Sequence, residues 1–584
     1  MDVIARTGSA RRIVTIICWI FALTAGGIRA WATRYEVATD TISYLDMADA
    51  YLRSDWSTAL NGQWNPFYAW LLALMHLSVK PDPYSEFPAV AGLDFVIYVA
   101  GLLCFHFFLR QLLSYIQKLT GQSGTALIPT WALFVFGYLL YTYTSLQLIG
   151  MHGFKGADLC IANFVYLAFG LLLWIGTEPM RWLPYGLLGL VLGCGYLTKA
   201  IMFPMGFVFL VTSLCFHVDL KKALSRGMFA FLVFIVIGVP FIAALSKSKG
   251  RFTYSDTGTY NYALFVCMGP PLLRPWVPPY FHWQGDVPGC GTPTHPTRKI
   301  YAMPAVYEFG APFHATYGAW YDPSYWYEGA RARIDVVNQI RVLRLSLERY
   351  FNLFVRSQPI LIMGFIILAS MSLRWRSSAP NSMARWIWLL PITAVLSLYG
   401  LVHVEDRFVA AYITIFWLGL YMMGIRLPDS PRSRTLLGGI IGGVAAVVLF
   451  STVLPKTLSD VRTIAVGRSE ANNEYVRVAQ GLKKLGIQPG TQVAHIGSAF
   501  RSSLWARMAR VRITAEITSK DAPEYWQADR ATKHDIREVL TKTGVKAIVT
   551  DSPTGPPRDD SDMQWQLIAH PSNQDKHSYY VSLF

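Results

Sequence analysis

Long apolar blocks govern what this chain can become: about eleven stretches approach the ~20 residues that cross a bilayer as a helix. They lie near 13–31, 88–113, 127–146, 159–176, 183–198, 200–217, 227–246, 353–373, 385–402, 408–425 and 434–454. Charged residues make up only 15% of the chain, against about 25% in a soluble globular protein. The net charge of +16 would suggest a nucleic-acid partner in a soluble chain. Here the excess sits in short connections: Arg110 and Lys118, then Arg181, then Lys221, Lys222 and Arg226. Arg374, Arg376 and Arg385 follow, then Arg426, Arg432 and Arg434. Basic connections mark the cytoplasmic side, so membrane lipids are the expected surroundings and nucleic acid is not an expected partner. The N-terminus is placed inside and, with an odd number of spans, the C-terminus outside.

The first block follows Arg6, Arg11 and Arg12. It is long for a secretory signal core, and further spans follow, so an uncleaved first span is favoured. Seven cysteines are too few for a disulfide scaffold. Five fall in apolar blocks, where a small buried hydrophobe is the default. Cys267 and Cys290 share one polar loop and are candidates for a disulfide if that loop faces an oxidising compartment.

Three outer segments are too large to be mere connectors. In 32–87, Tyr44, Leu45, Ala48, Tyr51 and Leu52 recur at helical spacing while Asp46, Asp49 and Arg53 fall on other faces. That pattern predicts a helix lying on the membrane surface, with Asp46 and Asp49 on a solvated face. Residues 247–352 form a long loop rich in Trp, Tyr and Pro, including the run at 274–283; an ordered loop of that length is usually functional. From about 456 onward the chain turns soluble in character. Helical patterns at 473–485, 499–509 and 531–543 alternate with strand patterns at 491–496, 511–517 and 545–549, with final strands at 565–569 and 579–584. This predicts a small α/β domain over 456–584, outside the membrane, after a transmembrane domain over 1–455. The turn His495-Ile496-Gly497-Ser498 lacks a full glycine fingerprint and indicates no nucleotide site.

Charged residues kept near a membrane commonly mark function, and several gather at the predicted outer face. Asp40 follows the first span, Asp158 precedes the fourth, and Lys199 stands at the turn between the fifth and sixth. His403, Glu405, Asp406 and Arg407 lie between the ninth and tenth. Each has a plainer reading. Asp40 and Asp158 are both in position to cap helices. Lys199 has the stem to snorkel to headgroups. Arg407 has Glu405 or Asp406 at hand as a simple ion pair. His152 and His403 are weak signals taken singly.

In combination these residues resemble the GT-C superfamily of integral-membrane glycosyltransferases, especially the branch of aminoarabinose transferases and protein O-mannosyltransferases. The first outer segment carries Asp40, Tyr44, a helix to Asp55, Asn61-Gly62 and Pro66-Phe67-Tyr68-Ala69-Trp70. The family's later motifs are matched by Leu197-Thr198-Lys199 and Glu405-Asp406-Arg407-Phe408, with Asp158 opening the fourth span. The resemblance covers about residues 1–425. One departure is that Asp40 is followed by Thr41, where many relatives carry a second acidic residue.

The resemblance implies a GT-C-like helical membrane fold and an enzyme that moves a sugar from a polyprenyl-phosphate donor to an acceptor hydroxyl or amine outside the cytoplasm. The leaving phosphate monoester needs no proton, so Lys199 and Arg407 are expected to bind the donor phosphate. Asp40 is expected as general base, with Asp158 sharing that role or orienting the acceptor. Tyr44, His403 and Glu405 are supporting residues. A single displacement inverts the anomeric centre. Neither a metal nor a cofactor is expected, and the acceptor (lipid, polysaccharide or protein) stays open. Short inner loops suggest a bacterial inner membrane with a periplasmic C-terminus. The rival is a transporter or lipid-linked sugar flippase, but the charges sit at outer ends and no duplicated halves are visible.

Overall fold

The computed structural model describes residues 2–119, 129–151, 153–216, 219–267, 282–285, 289–373, 386–425, 430–466, 473–552, 564–570 and 578–584. His152 and most of the aromatic run at 274–283 lie outside the described residues. The chain divides into two compact units.

The first unit comprises Met1–Thr33, Ala91–Ala244 and Gln339–Ala465 and is helical. Among the described residues, six helices are long and apolar enough to cross a membrane: Arg12–Ala32, Glu86–Leu119, Thr130–Ile149, Gly156–Thr177, Lys221–Lys249 and Pro431–Ala465. A seventh is reached if Val336–Arg356 and Pro359–Ser372, bent by 69°, are one span. The expected count of about eleven is therefore not matched by span length. The blocks at 183–198, 200–217 and 385–402 are helices of 16, 13 and 12 residues. At ~1.5 Å per residue these reach roughly 18–24 Å, short of a ~30 Å hydrocarbon core. The block at 408–425 forms the helix Asp406–Met423, whose first turn is charged.

Tyrosines fill much of this unit's interior. The buried Tyr98 hydroxyl donates to the Ala22 carbonyl at 3.0 Å, and Tyr141 donates to the Tyr98 carbonyl at 2.5 Å. Buried hydroxyls of this kind persist because a backbone acceptor compensates the lost water. Arg29, also buried, pairs with Asp460 at 2.8 Å and donates from Nε to the Gly150 carbonyl at 2.9 Å. That interaction ties the first helix of the unit to its last.

The second unit comprises Arg34–Val90, Leu245–Asn338 and Val466–Phe584. Its centre is a mixed seven-stranded sheet. The strands are β1 (Arg298–Tyr301), β2 (Val306–Glu308), β3 (Gln492–Gly497), β4 (Arg512–Thr518), β5 (Ala547–Ser552), β6 (Gln566–Ala569) and β7 (Ser578–Leu583), in the order β1-β2-β4-β3-β5-β7-β6. The inner strands β4, β3 and β5 run parallel and the outer ones antiparallel. Buried runs such as Val493, Ala494 and Ile496 on β3 suit a sheet covered on both faces. The helices Glu474–Lys484 and Arg530–Lys542 start where Asn473 and Asp529 accept backbone N–H bonds.

The C-terminal α/β pattern thus has the elements expected. However, the sheet takes β1 and β2 from the long loop, and the first outer segment joins the same unit. The units accordingly do not divide at the expected 455/456 boundary.

The first outer segment also corrects a sequence expectation. The helix Thr39–Leu52 does not lie on a surface; Thr41 through Ala48 and Ala50 are all buried. Asp46 is buried, not solvated: it accepts from the Thr316 N–H and hydroxyl, both at 2.8 Å, and pairs with Arg507 at 2.9 Å. Arg507 also holds the partly buried Asp49 at 2.6 Å and Glu86 at 2.7 Å. Its own side chain is 3% exposed. A cation 461 residues away replaces the water that the sequence pattern implied.

Removing Arg507 leaves these carboxylates without their shared countercharge, so Arg507→Ala should destabilise the second unit by about 3–5 kcal/mol. Burial, opposed in part by Arg507, pushes the Asp46 carboxyl up to about 6. At Asp49 burial is outweighed by Arg507, and that carboxyl is held down at about 2. A raised carboxyl pKa favours folding while protonated, so the Asp46 contribution is lost as pH rises from about 4 through 6. The Asp49 contribution runs the other way, lost as pH falls from about 4 to 2. Thermal unfolding in detergent should show a lower midpoint for Arg507→Ala and, for Asp46→Asn, a flatter dependence between pH 4 and 6.

Candidate functional site

Helix ends in the first unit bring its candidate residues together. Asp158 is the third residue of Gly156–Thr177, and its side chain does not cap that helix. Lys199 follows Leu183–Thr198 in an extended conformation, with φ −148° and ψ 134°. Its carbonyl then accepts from the Met202 N–H at 3.0 Å, so the next helix begins at once. This tight reversal points the lysine at the start of Gly156–Thr177, where it forms an ion pair with the buried Asp158. Arg407, in the first turn of Asp406–Met423, reaches the other oxygen of the same carboxylate at 3.1 Å. One carboxylate therefore joins two cations from separate helices.

Around this core stands a second tier. Arg407 Nε donates to Glu405 at 2.5 Å, and the far oxygen of Glu405 lies 3.3 Å from His403 Nε2. Arg349 approaches His403 Nδ1 at 3.2 Å and donates to the Val404 carbonyl at 2.6 Å. Burial alone would raise the Glu405 carboxyl; the His403 hydrogen bond and the Arg407 charge outweigh it and hold the group well below the usual range. Lys199 Nζ lies 4.4 Å from the Phe408 ring centre and the Arg407 guanidinium 5.0 Å. Phe408 stacks on Tyr399 at 5.2 Å. The aromatic face thus holds both cations while supplying no competing anion.

A cavity of about 10 Å³ opens here, lined by Asp158, Lys199, Tyr399, Arg407, Phe408 and Tyr412 among others. That is room for about one water. Lys199, Arg407 and Arg349 stand among the carboxylates of Asp158, Glu405 and Asp406, so cations and carboxylates of the cluster are equal in number. An entering anion would meet cations whose present partner is an internal carboxylate. Of the plainer readings, snorkelling does not describe Lys199, which is only 21% exposed and paired. The ion pair between Arg407 and Glu405 is present, alongside the one to Asp158. Arg349 was not legible as a site residue, since it lies far along the chain on a helix without a motif.

Asp40 and Tyr44 belong to the second unit. Asp40 sits in the first turn of Thr39–Leu52, but the cap position is Ala38, so Asp40 does not cap. Its Oδ1 accepts from Trp320 Nε1 at 3.2 Å, and Ser43 donates to the Trp320 carbonyl at 3.0 Å. Tyr44 is buried edge-on against Tyr68, with ring centres 5.2 Å apart. The Asn61-Gly62 turn is also set: Asn61 Oδ1 accepts from the N–H groups of Gln63 and Trp64, both at 2.9 Å. A side chain on Gly62 would begin 2.4 Å from Ser324 Oγ, so Ser324 would have to move to admit one. Cys267 and Cys290 are free thiols in this structure. The Cys267 thiol lies 3.8 Å from the Arg331 carbonyl, and the Arg331 N–H donates to the Cys290 carbonyl at 2.8 Å. Among the described residues, no group of three or more His, Cys, Asp or Glu side chains is arranged to hold a metal ion.

No protein-family model matches the chain, and no curated protein matches it in sequence. Solved structures do show likeness. An Archaeoglobus fulgidus oligosaccharyltransferase, tethered to an acceptor peptide containing the NVT sequon, aligns over 93% of this chain and 69% of its own at 13% identity, with a TM-score of 0.49. ArnT from Cupriavidus metallidurans, bound to undecaprenyl phosphate, aligns over 97% of each chain at 13% identity, with a TM-score of 0.42.

Asp158→Asn should leave Lys199 and Arg407 without their shared countercharge and lower stability by about 3–5 kcal/mol. Added inorganic phosphate should restore part of the thermal midpoint in this variant and do little for the wild type. No phosphate response in the variant would mean that the two cations are not open to an outside anion.

Proposed function

We propose that this chain is a membrane glycosyltransferase that takes a sugar from a polyprenyl-phosphate donor on the extracytoplasmic face, with the Lys199–Arg407 pair as its phosphate-binding element. The single observation that supports this most is the convergence of both cations on one buried carboxylate beside an aromatic floor. The phosphodiester of the donor carries the same single charge as that carboxylate, and the monoester it becomes on cleavage carries more. The donor phosphate is therefore suited to take the place of Asp158.

As the bond from the anomeric carbon to the phosphate oxygen breaks, negative charge grows on that oxygen. Lys199 and Arg407 would stabilise it in surroundings poor in water, where each charge-assisted bond counts for more than in solution. The bond electrons leave with the phosphate, so no acid is required. The freed Asp158 carboxylate would then be available to orient the acceptor. Glu405, itself held by His403, keeps the Arg407 guanidinium plane directed at the phosphate position. Arg349 adds positive charge behind that arm. Asp40 as general base is a separate proposal that rests on its place in the motif order; with an inverting single displacement, it would take the acceptor proton during attack.

Purified protein supplied with a panel of polyprenyl-phosphate sugars should release carrier phosphate in step with sugar transfer. Lys199→Ala and Arg407→Ala should each slow transfer by about 10²–10³-fold. Asp40→Asn should abolish transfer while keeping donor binding, and near-normal turnover would remove Asp40 from the base role. Movement of intact donor across the bilayer without bond cleavage would favour a flippase instead.

A further inference from the structure

The helix Val336–Phe351 has two unlike faces. On one, Val342 and Ser346 are buried. On that side Gln339 donates to the Leu401 carbonyl at 2.9 Å, Tyr350 to the Leu396 carbonyl at 2.6 Å and Arg349 to the Val404 carbonyl at 2.6 Å. On the other, Val336, Ile340, Leu343 and Leu347 recur at spacings of four, three and four residues, which is one helical stripe. All are exposed, Leu347 to 68%. The exposed Arg344 borders the stripe on one side, with the exposed Arg341 and Glu348 further round the same side. With Arg341, Arg344, Glu348 and Arg349 along its length, this helix is too polar to pass through hydrocarbon.

We propose that this face docks onto the surface of an anionic phospholipid bilayer. The stripe would lie at the acyl boundary, while Arg341 and Arg344 would bind headgroup phosphates. Two observations select this occupant. The segment containing the helix turns by 69° into the apolar helix Pro359–Ser372, the geometry of a chain that runs along an interface and then enters the membrane. The polar flank is basic, which complements anionic lipid. Arg349 projects from the same helix toward His403 and Glu405. Lipid contact on one side would therefore fix the helix that carries positive charge to the candidate site on the other. The inference needs only that the chain is membrane-embedded and holds whether or not the transferase reading does.

The test uses purified full-length protein in micelles containing equal phosphatidylglycerol and phosphatidylcholine, analysed by native mass spectrometry. Phosphatidylglycerol should be retained in preference, and Arg341→Gln/Arg344→Gln should reduce that preference by about fivefold or more, at ~1 kcal/mol per basic residue. An unchanged ratio overturns the headgroup assignment. In liposomes, a photoreactive benzophenone residue in place of Leu347 should form lipid adducts. Adducts with a second copy of the chain, or reaction with water alone, overturn the docking and give the face to another partner or to solvent.

Discussion

The account depends on the carboxylate of Asp158 and the two cations that share it. A buried carboxylate is costly to keep charged unless paired, and a buried lysine or arginine equally so. Here three helix ends meet, and each group relieves the others' desolvation. The arrangement is tight, since the cavity beside it holds about one water. A site of this kind suits an anion that arrives, displaces an internal partner and leaves.

The second unit makes the opposite use of the same physics. Arg507 collects Asp46, Asp49 and Glu86 so that carboxylates outnumber the guanidinium, and the help comes from Thr316 and from Arg510, 3.1 Å from Glu86. The result holds the helix Ala499–Ala509 to the helix that carries Asp40. The C-terminal α/β elements are therefore part of what fixes the candidate base's own helix. Their sheet likewise extends through β1 and β2 from the long aromatic loop.

Local pattern carried much of this. The helix Ala499–Ala509 and the strands β3, β4, β5 and β7 lie where alternation and helical spacing put them, because burial on a regular element leaves a periodic trace. Lys199, Asp158 and Arg407 were legible as a set because charge at the end of an apolar block is conspicuous. What the sequence hid was long-range pairing. Asp46 and Asp49 occupy positions that read as a wet face, and no local signal says that an arginine far along the chain will cover them. Arg349 was missed for the same reason. The span count exceeded the number of long helices because hydropathy marks apolar blocks but not their ends: 183–198 and 200–217 read as two spans, while the turn at Lys199 leaves two short helices. A membrane-surface helix was expected at the Asp40 segment, yet that helix is buried, and an exposed amphipathic helix occurs at Val336–Phe351.

The most direct measurement is the equilibrium affinity of a polyprenyl monophosphate, without sugar, for the purified wild type and for Lys199→Ala/Arg407→Ala. Each charge-assisted bond is worth about 1.5–3 kcal/mol, so the account predicts that the double variant binds at least about a hundredfold more weakly at a temperature where both proteins are folded. Equal affinity in the two proteins would contradict it, and the shared carboxylate would then be a structural tie alone.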